Sequence, residues 1–373
     1  MYSVMAENHV DLEVIYCSTH GVSNQFDRQF NSSFKWNIPI LDGYNYYFFK
    51  NYALRPSLYS FWGLMNWGII WHLLRSPKGI LVINGWQYFI YVISIIVGKV
   101  RGHTVCLRGE SPLSREKNRS FLKKITRKFI LEYILFKFVD VFLYIGDQNK
   151  RFYKFFGVPD EKLLFSPYSV DNDRFQKHLS VNSDEKEKIR SLLGLPKNKI
   201  IILYSGKYIA KKRPLDLLES ALLLDNKKYA IIFMGEGEMR KHMEDFILKH
   251  ELKDIYLTGF INQLEITNYY SASDIFVMCS DADETWGLSI NEAMNSGLPI
   301  VASNEIGCTT DLVKHGYNGF VYPMGNVVEL SKYLNKLMNE DHLRIAFGQQ
   351  SLEIIKGYSY ETIIRNLKTI DTL

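Results

Sequence analysis

A chain of 373 residues that is 47% hydrophobic and 23% charged is too long for one small core and fits two domains of ordinary size. Its net charge of +5 is unevenly placed: residues 1–170 hold 21 Lys and Arg against 12 Asp and Glu, an excess of +9, which leaves −4 for the remainder. This composition excludes a disordered chain, and no nucleic-acid recognition motif accompanies the basic excess. Cys17, Cys106, Cys279 and Cys308 have no C-x-x-C spacing, and three fall in or beside predicted strands. They read as reduced structural thiols of a cytoplasmic protein. Glu7, Asp11 and Glu13 come early, so no secretory signal is expected at the start.

In chain order, residues 12–17 read as a strand and residues 20–51 as a long, turn-rich region. Residues 58–74 are aromatic and almost uncharged. They fall short of the roughly 20 apolar residues that cross a bilayer, so they read as a buried or interfacial helix. A strand over 79–84, a helix over 86–97 and a strand over 103–108 follow, the last ending in the loop 109–112. A basic helix is expected over about 119–138, then a strand over 140–146 and a closing segment, 163–168. Strands alternating with helices define a parallel, Rossmann-like α/β domain. Within it, residues 115–128 carry seven basic residues and one acid. That run is either a solvated helix face or a surface for an anionic partner, a membrane or a phosphate-bearing acceptor.

Residues 171–196 are polar and charged and read as a linker. The alternation then resumes, with strands expected over 200–204, 230–234, 255–258, 274–279, 299–302 and 319–322. The most informative stretch lies between the last three of these. Glu284 sits on a loop at a strand's carboxyl end, where open α/β sheets bind ligands. The helix expected to start near Trp286 and Gly287 points free N–H groups into the same place, a setting for phosphate. Glu292 follows eight residues on, about two turns, and projects from roughly the same face.

With the strand D-I-F-V-M-C-S before it, T-W-G-L after Glu284 and E-A-M-N-S-G-L-P-I-V-A-S from Glu292, this stretch resembles the E-x7-E signature of retaining glycosyltransferases of the GT-B fold, family 4 in particular. The resemblance is strong over about 200–325 and looser before. It implies two Rossmann-like domains with a cleft between them: an acceptor-binding domain over 1–170, a nucleotide-sugar domain over 171–355 and a C-terminal helix, 356–373, packing back on the first. Ser359 is the expected N-cap of that helix, with Glu361 in its first turn. Proteins of this kind open with an apolar strand and a glycine-bearing loop. Residues 1–7 read instead as the helix after such a strand, so the first strand is expected to be missing or the first domain to be built unusually.

The resemblance also assigns residues. Glu284, Lys212 and Lys207 are the expected catalytic groups. A leaving diphosphate gathers charge in the transition state and, with no metal, needs side-chain cations. Ser205-Gly206-Lys207 and Lys211-Lys212-Arg213-Pro214 are similar to the family's G-R/K-x4-K clamp, although Lys207 lacks an arginine's bidentate geometry. Donor contacts are further expected from Gly206, Gly235 (in the turn Gly235-Glu-Gly237) and the base-facing pair Gly259 and Phe260. Thr285, Trp286, Gly287, Leu288 and Ser289 join them at the helix start, with Glu292 on the ribose. Asp311 replaces the family's usual glutamate and is read as structural. No family histidine can be carried over on the acceptor side. Arg108 and Glu110 occupy that loop instead, and Asp42 and Tyr44, with His20 and Asp27, lie in the early turn-rich region.

The function so implied is retaining transfer of a hexosyl group from a UDP or GDP sugar to a glycan or lipid-linked acceptor. The setting is the building of surface polysaccharide or lipopolysaccharide, in the cytoplasm or at the inner face of the membrane, without metal or other cofactor. A nucleotide-sugar 2-epimerase and an inactive sugar-nucleotide-binding scaffold are the alternatives.

Overall fold

Ile200–Ser205 and Tyr229–Met234 are runs of β-branched and aromatic residues buried almost throughout, as strands covered on both faces must be. The structure, a computed structural model, describes residues 1–22, 25–27, 32–34, 36–117, 120–177 and 183–370. The chain divides into two compact units.

The second unit holds the described residues of Asn24–Pro39 together with Ser169–Ser359. Its sheet has six parallel strands in the spatial order Ile255–Leu257, Tyr229–Met234, Ile200–Ser205, Ile275–Met278, Ile300–Ser303, Gly319–Tyr322. The chain runs outward from Ile200–Ser205 in one direction, then returns to its other side with Ile275–Met278. The topological switch of the sheet therefore lies between those two strands, and the loops after them open there. Ile202, Tyr204, Phe233, Val277 and Val301 are packed in one core with Leu217 and Leu330 from the covering helices. Burying each such side chain contributes about 1.5–3 kcal/mol relative to leaving it in water.

The polar stretch expected to be a linker is not a loose one. Its described residues form the helices Asn172–Gln176 and Ser183–Leu192, while residues 178–182 lie outside the described residues. Arg190 and Lys186 meet the carboxylate of Asp274 at 2.6 and 2.8 Å, and Arg190 also donates to the carbonyls of Ala272, Lys197 and Lys199. Burial works against the charge on Asp274, yet these two cations and the Ile201 amide hold its carboxyl below the ordinary range. The charges that suggested solvent are partners for a buried acid.

The first unit comprises Met1–Ser23, Ile40–Tyr168 and Tyr360–Leu373, the last to the extent described. Four parallel strands stand in chain order, Ile80–Asn84, Thr104–Arg108, Val141–Tyr144 and Leu163–Phe165. Glu13–Tyr16 pairs in parallel with Asn45–Phe48, a strand within the region expected to be turn-rich. The aromatic stretch 58–74 yields only the helix Trp67–Arg75, and no helix among the described residues is long and apolar enough to cross a membrane. The expected basic helix is an α-helix, Phe121–Lys128, a π-helical turn, Phe129–Ile134, and a 3-10 turn, Leu135–Phe138. Asn118 and Arg119 of the basic run lie outside the described residues. The last helix, Tyr360–Leu367, begins just after Ser359 and carries Glu361 in its first turn. It belongs to this unit: Asn366 donates to the Phe165 carbonyl at 2.8 Å, and Ile370 packs with Cys106, Val141 and Leu143.

Candidate active site

Two loops meet at the switch point of the second unit's sheet. After Ile200–Ser205 the chain passes through Gly206 and Lys207 to the turn Ala210–Lys212 and enters the helix Pro214–Ala221. The buried Tyr204 hydroxyl shapes this loop by donating to the carbonyls of Lys207 and Lys212 at 3.3 and 3.2 Å. Arg213 takes a left-handed conformation at φ 48°, which a non-glycine residue adopts at a cost, and its guanidinium is held in a fork by Asp216 at 2.7 and 3.0 Å. Lys212, the residue before Arg213, reaches the second loop through its side chain.

That second loop follows Ile275–Met278 and leads to the helix Leu288–Asn295. The Asp281 amide donates to the Lys211 carbonyl at 2.9 Å, which joins the loops through their backbones. Glu284 forms an ion pair with Lys212, their side chains 13% and 16% exposed. Both were expected at the site from separate motifs 72 positions apart, and the sheet brings them into contact. Glu284 does not cap the following helix; its N-cap is Gly287, with no side-chain bond.

The loop is held from its far side by a segment that motif reading assigned no role in the site. The amides of Gly307 and Cys308 donate to the carbonyls of Glu284 and Trp286, each at 3.1 Å. A Cβ on Gly307 would stand 1.9 Å from the Thr285 carbonyl oxygen, so only glycine allows this approach. Asp311, four residues on, accepts from the Tyr358 hydroxyl at 3.3 Å. Trp286 is 3% exposed and its indole donates to Asn291 at 2.9 Å, so its side chain braces the helix. Ser289 approaches the Met278 sulfur at 3.8 Å, and Leu288 opens the helix half-buried.

Glu292 stands on the second turn of that helix. Its spacing from Glu284 does not make one helix face, because Glu284 precedes the first helical residue by four positions. The Tyr270 hydroxyl, fully buried, donates to the Glu292 carboxylate at 2.6 Å. Burial pushes the Glu292 carboxyl up to about 7, against the pull of that hydrogen bond and of the Arg174 charge. Tyr270 and Arg174 carried no signal in the sequence, since each is a single residue far from any motif. The folded carboxyl keeps its proton to higher pH than an unfolded one, so stability is present below its ordinary value of 4.5 and is lost as pH rises to about 7. Urea unfolding across that window is expected to show this fall in wild type and a flatter profile in Glu292→Gln.

Gly206, Gly235 and Gly259 end three neighbouring strands. The Gly206 amide donates to Met234 and the Gly235 amide to Gly259, both at 3.0 Å, and a Cβ on Gly235 would lie 1.9 Å from the Gly206 oxygen. Tight backbone packing thus requires Gly235. Phe260 meets Trp36 at 6.0 Å between ring centroids, and Asn37 exchanges two 3.2 Å hydrogen bonds with the Asn262 side chain and the Leu264 amide. In the first unit, Arg108 lies over the Tyr168 ring at 4.8 Å and the Tyr168 hydroxyl donates to Glu110 at 2.7 Å, so these three form one group. Tyr44 is held elsewhere in that unit by Tyr16 and the Ile40 carbonyl, both at 2.5 Å, with Asp42 exposed beside it. His20 is also exposed, and the Asp27 side chain lies outside the described residues. Among the described residues no three His, Cys, Asp or Glu side chains gather as a metal would need.

The fold is that of the GT-B glycosyltransferases, with two Rossmann-like domains: the structure of Anabaena HepE in complex with UDP superposes with a TM-score of 0.72 at 17% identity, over 88% of this chain and 86% of that one. Residues 185–353 match the family model described as glycosyl transferases group 1. The sulfoquinovosyl transferase of Arabidopsis thaliana is 29% identical over 53% of this chain and 38% of its own length. The phosphatidyl-myo-inositol mannosyltransferase of Mycobacterium leprae is 22% identical over 54% of each. The chain spans about half the length, or less, of the curated relatives it matches.

Proposed function

We propose that this chain is a glycosyltransferase that moves a hexosyl group from a nucleotide-diphosphate sugar, of UDP or GDP, to a glycan or lipid-linked acceptor. The observation that carries the reading is the Lys212–Glu284 pair at the sheet's switch point, beside a helix start. A diphosphate placed there takes over the Lys212 ammonium, and Glu284, released from it, turns to the sugar hydroxyls. Lys207, on the same loop as Lys212, adds positive charge. Glu292 takes the ribose hydroxyls, and the backbone around Gly259 and Phe260 takes the base.

The reaction retains anomeric configuration and uses the front face. The bond from the anomeric carbon to the diphosphate oxygen breaks with its electron pair going to the diphosphate. The acceptor oxygen bonds that carbon, and its proton passes to the departing diphosphate. Lys212 stabilises the growing negative charge, with no metal in the step. Arg108, Glu110, Asp42 and Tyr44 are the acceptor contacts of this reading. Its setting is surface polysaccharide or lipopolysaccharide assembly in the cytoplasm, at the inner face of the membrane. Relatives named for transfer to a lipid and to poly(glycerol-phosphate) support an acceptor of that class.

The test is Glu284→Gln. Turnover is expected to fall while affinity for the nucleoside diphosphate stays near wild type, the pattern of lost transition-state binding. Normal transfer by a stable Glu284→Gln protein would sink the assignment.

A further inference from the structure

The described part of residues 115–138 does more than present charge to water. Leu131, Leu135 and Phe136 turn inward to the first unit's core, beside Val105, Leu107 and Phe142. Phe121, Leu122, Ile125 and Phe129 do the opposite: they stand 74%, 76%, 51% and 58% exposed. Phe121, Ile125 and Phe129 recur every fourth residue, so they make one stripe along the helix. Lys123 and Lys128 flank it, both exposed; Lys128 also pairs with Glu132 on the next turn at 3.7 Å, and no acid occurs between residues 121 and 131.

A solvated face does not show phenylalanine and leucine in a row, and a contiguous apolar stripe on a folded unit marks a binding surface. The chemistry of the rim tells which. Protein interfaces are depleted in lysine, whereas lysines beside an aromatic and aliphatic stripe match the boundary between anionic headgroups and acyl chains. There the rings enter hydrocarbon and the ammonium groups reach phosphate. We propose that residues 121–134 are an interfacial element that lies in the plane of an anionic bilayer with Phe121, Leu122, Ile125 and Phe129 embedded. This deepens the membrane part of the function proposed above. It names the surface, and it makes apolar burial the holding force with charge as its assistant.

The experiment is flotation of the full chain with phosphatidylcholine vesicles, with and without phosphatidylglycerol. Wild type is expected to float with the anionic vesicles and to keep part of its binding in high salt, since burial is not screened. Phe121→Ser with Leu122→Ser should lower partitioning by about tenfold or more, given two large side chains lost from the boundary. Lys123→Gln with Lys128→Gln should weaken binding less and remove most of its salt dependence. Both serine sites are exposed, so the melting temperature should match wild type, and Leu248→Ser, at a 79% exposed position of the second unit, should bind normally. The proposal is overturned if anionic vesicles do not bind wild type, or if the serine variant binds as well. A wild-type dimer that the serine variant dissolves would also overturn it, making the stripe a contact between copies. Flotation needs neither donor nor acceptor, so its failure is distinct from a failure of sugar transfer.

Discussion

Lys212→Ala is expected to lower turnover by about 10²–10³-fold, the usual loss when one donor to a developing oxyanion is removed. The ammonium is held by the Glu284 carboxylate in a site where both side chains are mostly buried. In such surroundings a cation acts on a departing diphosphate more strongly than it would in water. The same substitution strips Glu284 of its partner, so part of the loss reports a displaced carboxylate. Comparing Lys212→Ala, Glu284→Ala and the double variant separates the two effects, because residues in contact are not additive. If they work as one unit, the double variant loses little more than the worse single one. Steady-state kinetics at saturating donor supply the numbers, and an unchanged turnover in Lys212→Ala would remove it from the chemistry.

Gly307→Ala is expected to damage the same loop from behind. The new Cβ would stand 1.9 Å from the Thr285 carbonyl oxygen and 3.3 Å from that of Glu284, both backbone atoms with little freedom to give. Forcing one carbon into a packed site costs about 1–3 kcal/mol, and here it also disturbs the two hydrogen bonds, from the Gly307 and Cys308 amides, that hold the loop. The melting temperature should fall, and turnover should fall further than the loss of folded protein explains. Gly79→Ala serves as the comparison, because nothing lies within 4 Å of its Cβ, and it should melt like wild type. A Gly307→Ala protein with wild-type stability and turnover would show that the loop is not held as described.

What the sequence disclosed follows from how local each signal is. The strands of the second unit were legible because burial on both faces demands unbroken runs such as Ile-Ile-Ile-Leu-Tyr. Glu284 and Lys212 could each be singled out because each sits in a short motif, and the structure adds that the two side chains meet. Asn45–Phe48 was hidden: its Asn-Tyr-Tyr-Phe is exposed along its whole length, so no alternation betrays it, and its partner lies 32 positions earlier. Tyr270, Gly307 and Arg190 were equally hidden, since each acts on a residue that only tertiary structure brings near. The polar stretch before residue 196 misled for a related reason, because composition does not tell a solvated charge from one that neutralises Asp274.

The threading of the chain bears on how it is made. The second unit takes in Trp36 and Asn37, which are synthesised long before the loop at Phe260, Asn262 and Leu264 that receives them. The first unit takes in Tyr360–Leu367, synthesised only after the whole of the second unit. Domains usually fold one after another as they leave the ribosome. Here the early unit waits for its closing helix, and the segment owed to the later unit waits with it. While the second unit is being made, a translating ribosome therefore carries two unfinished cores at once, and the strands of the first stay candidates for chaperones until Tyr360–Leu367 docks.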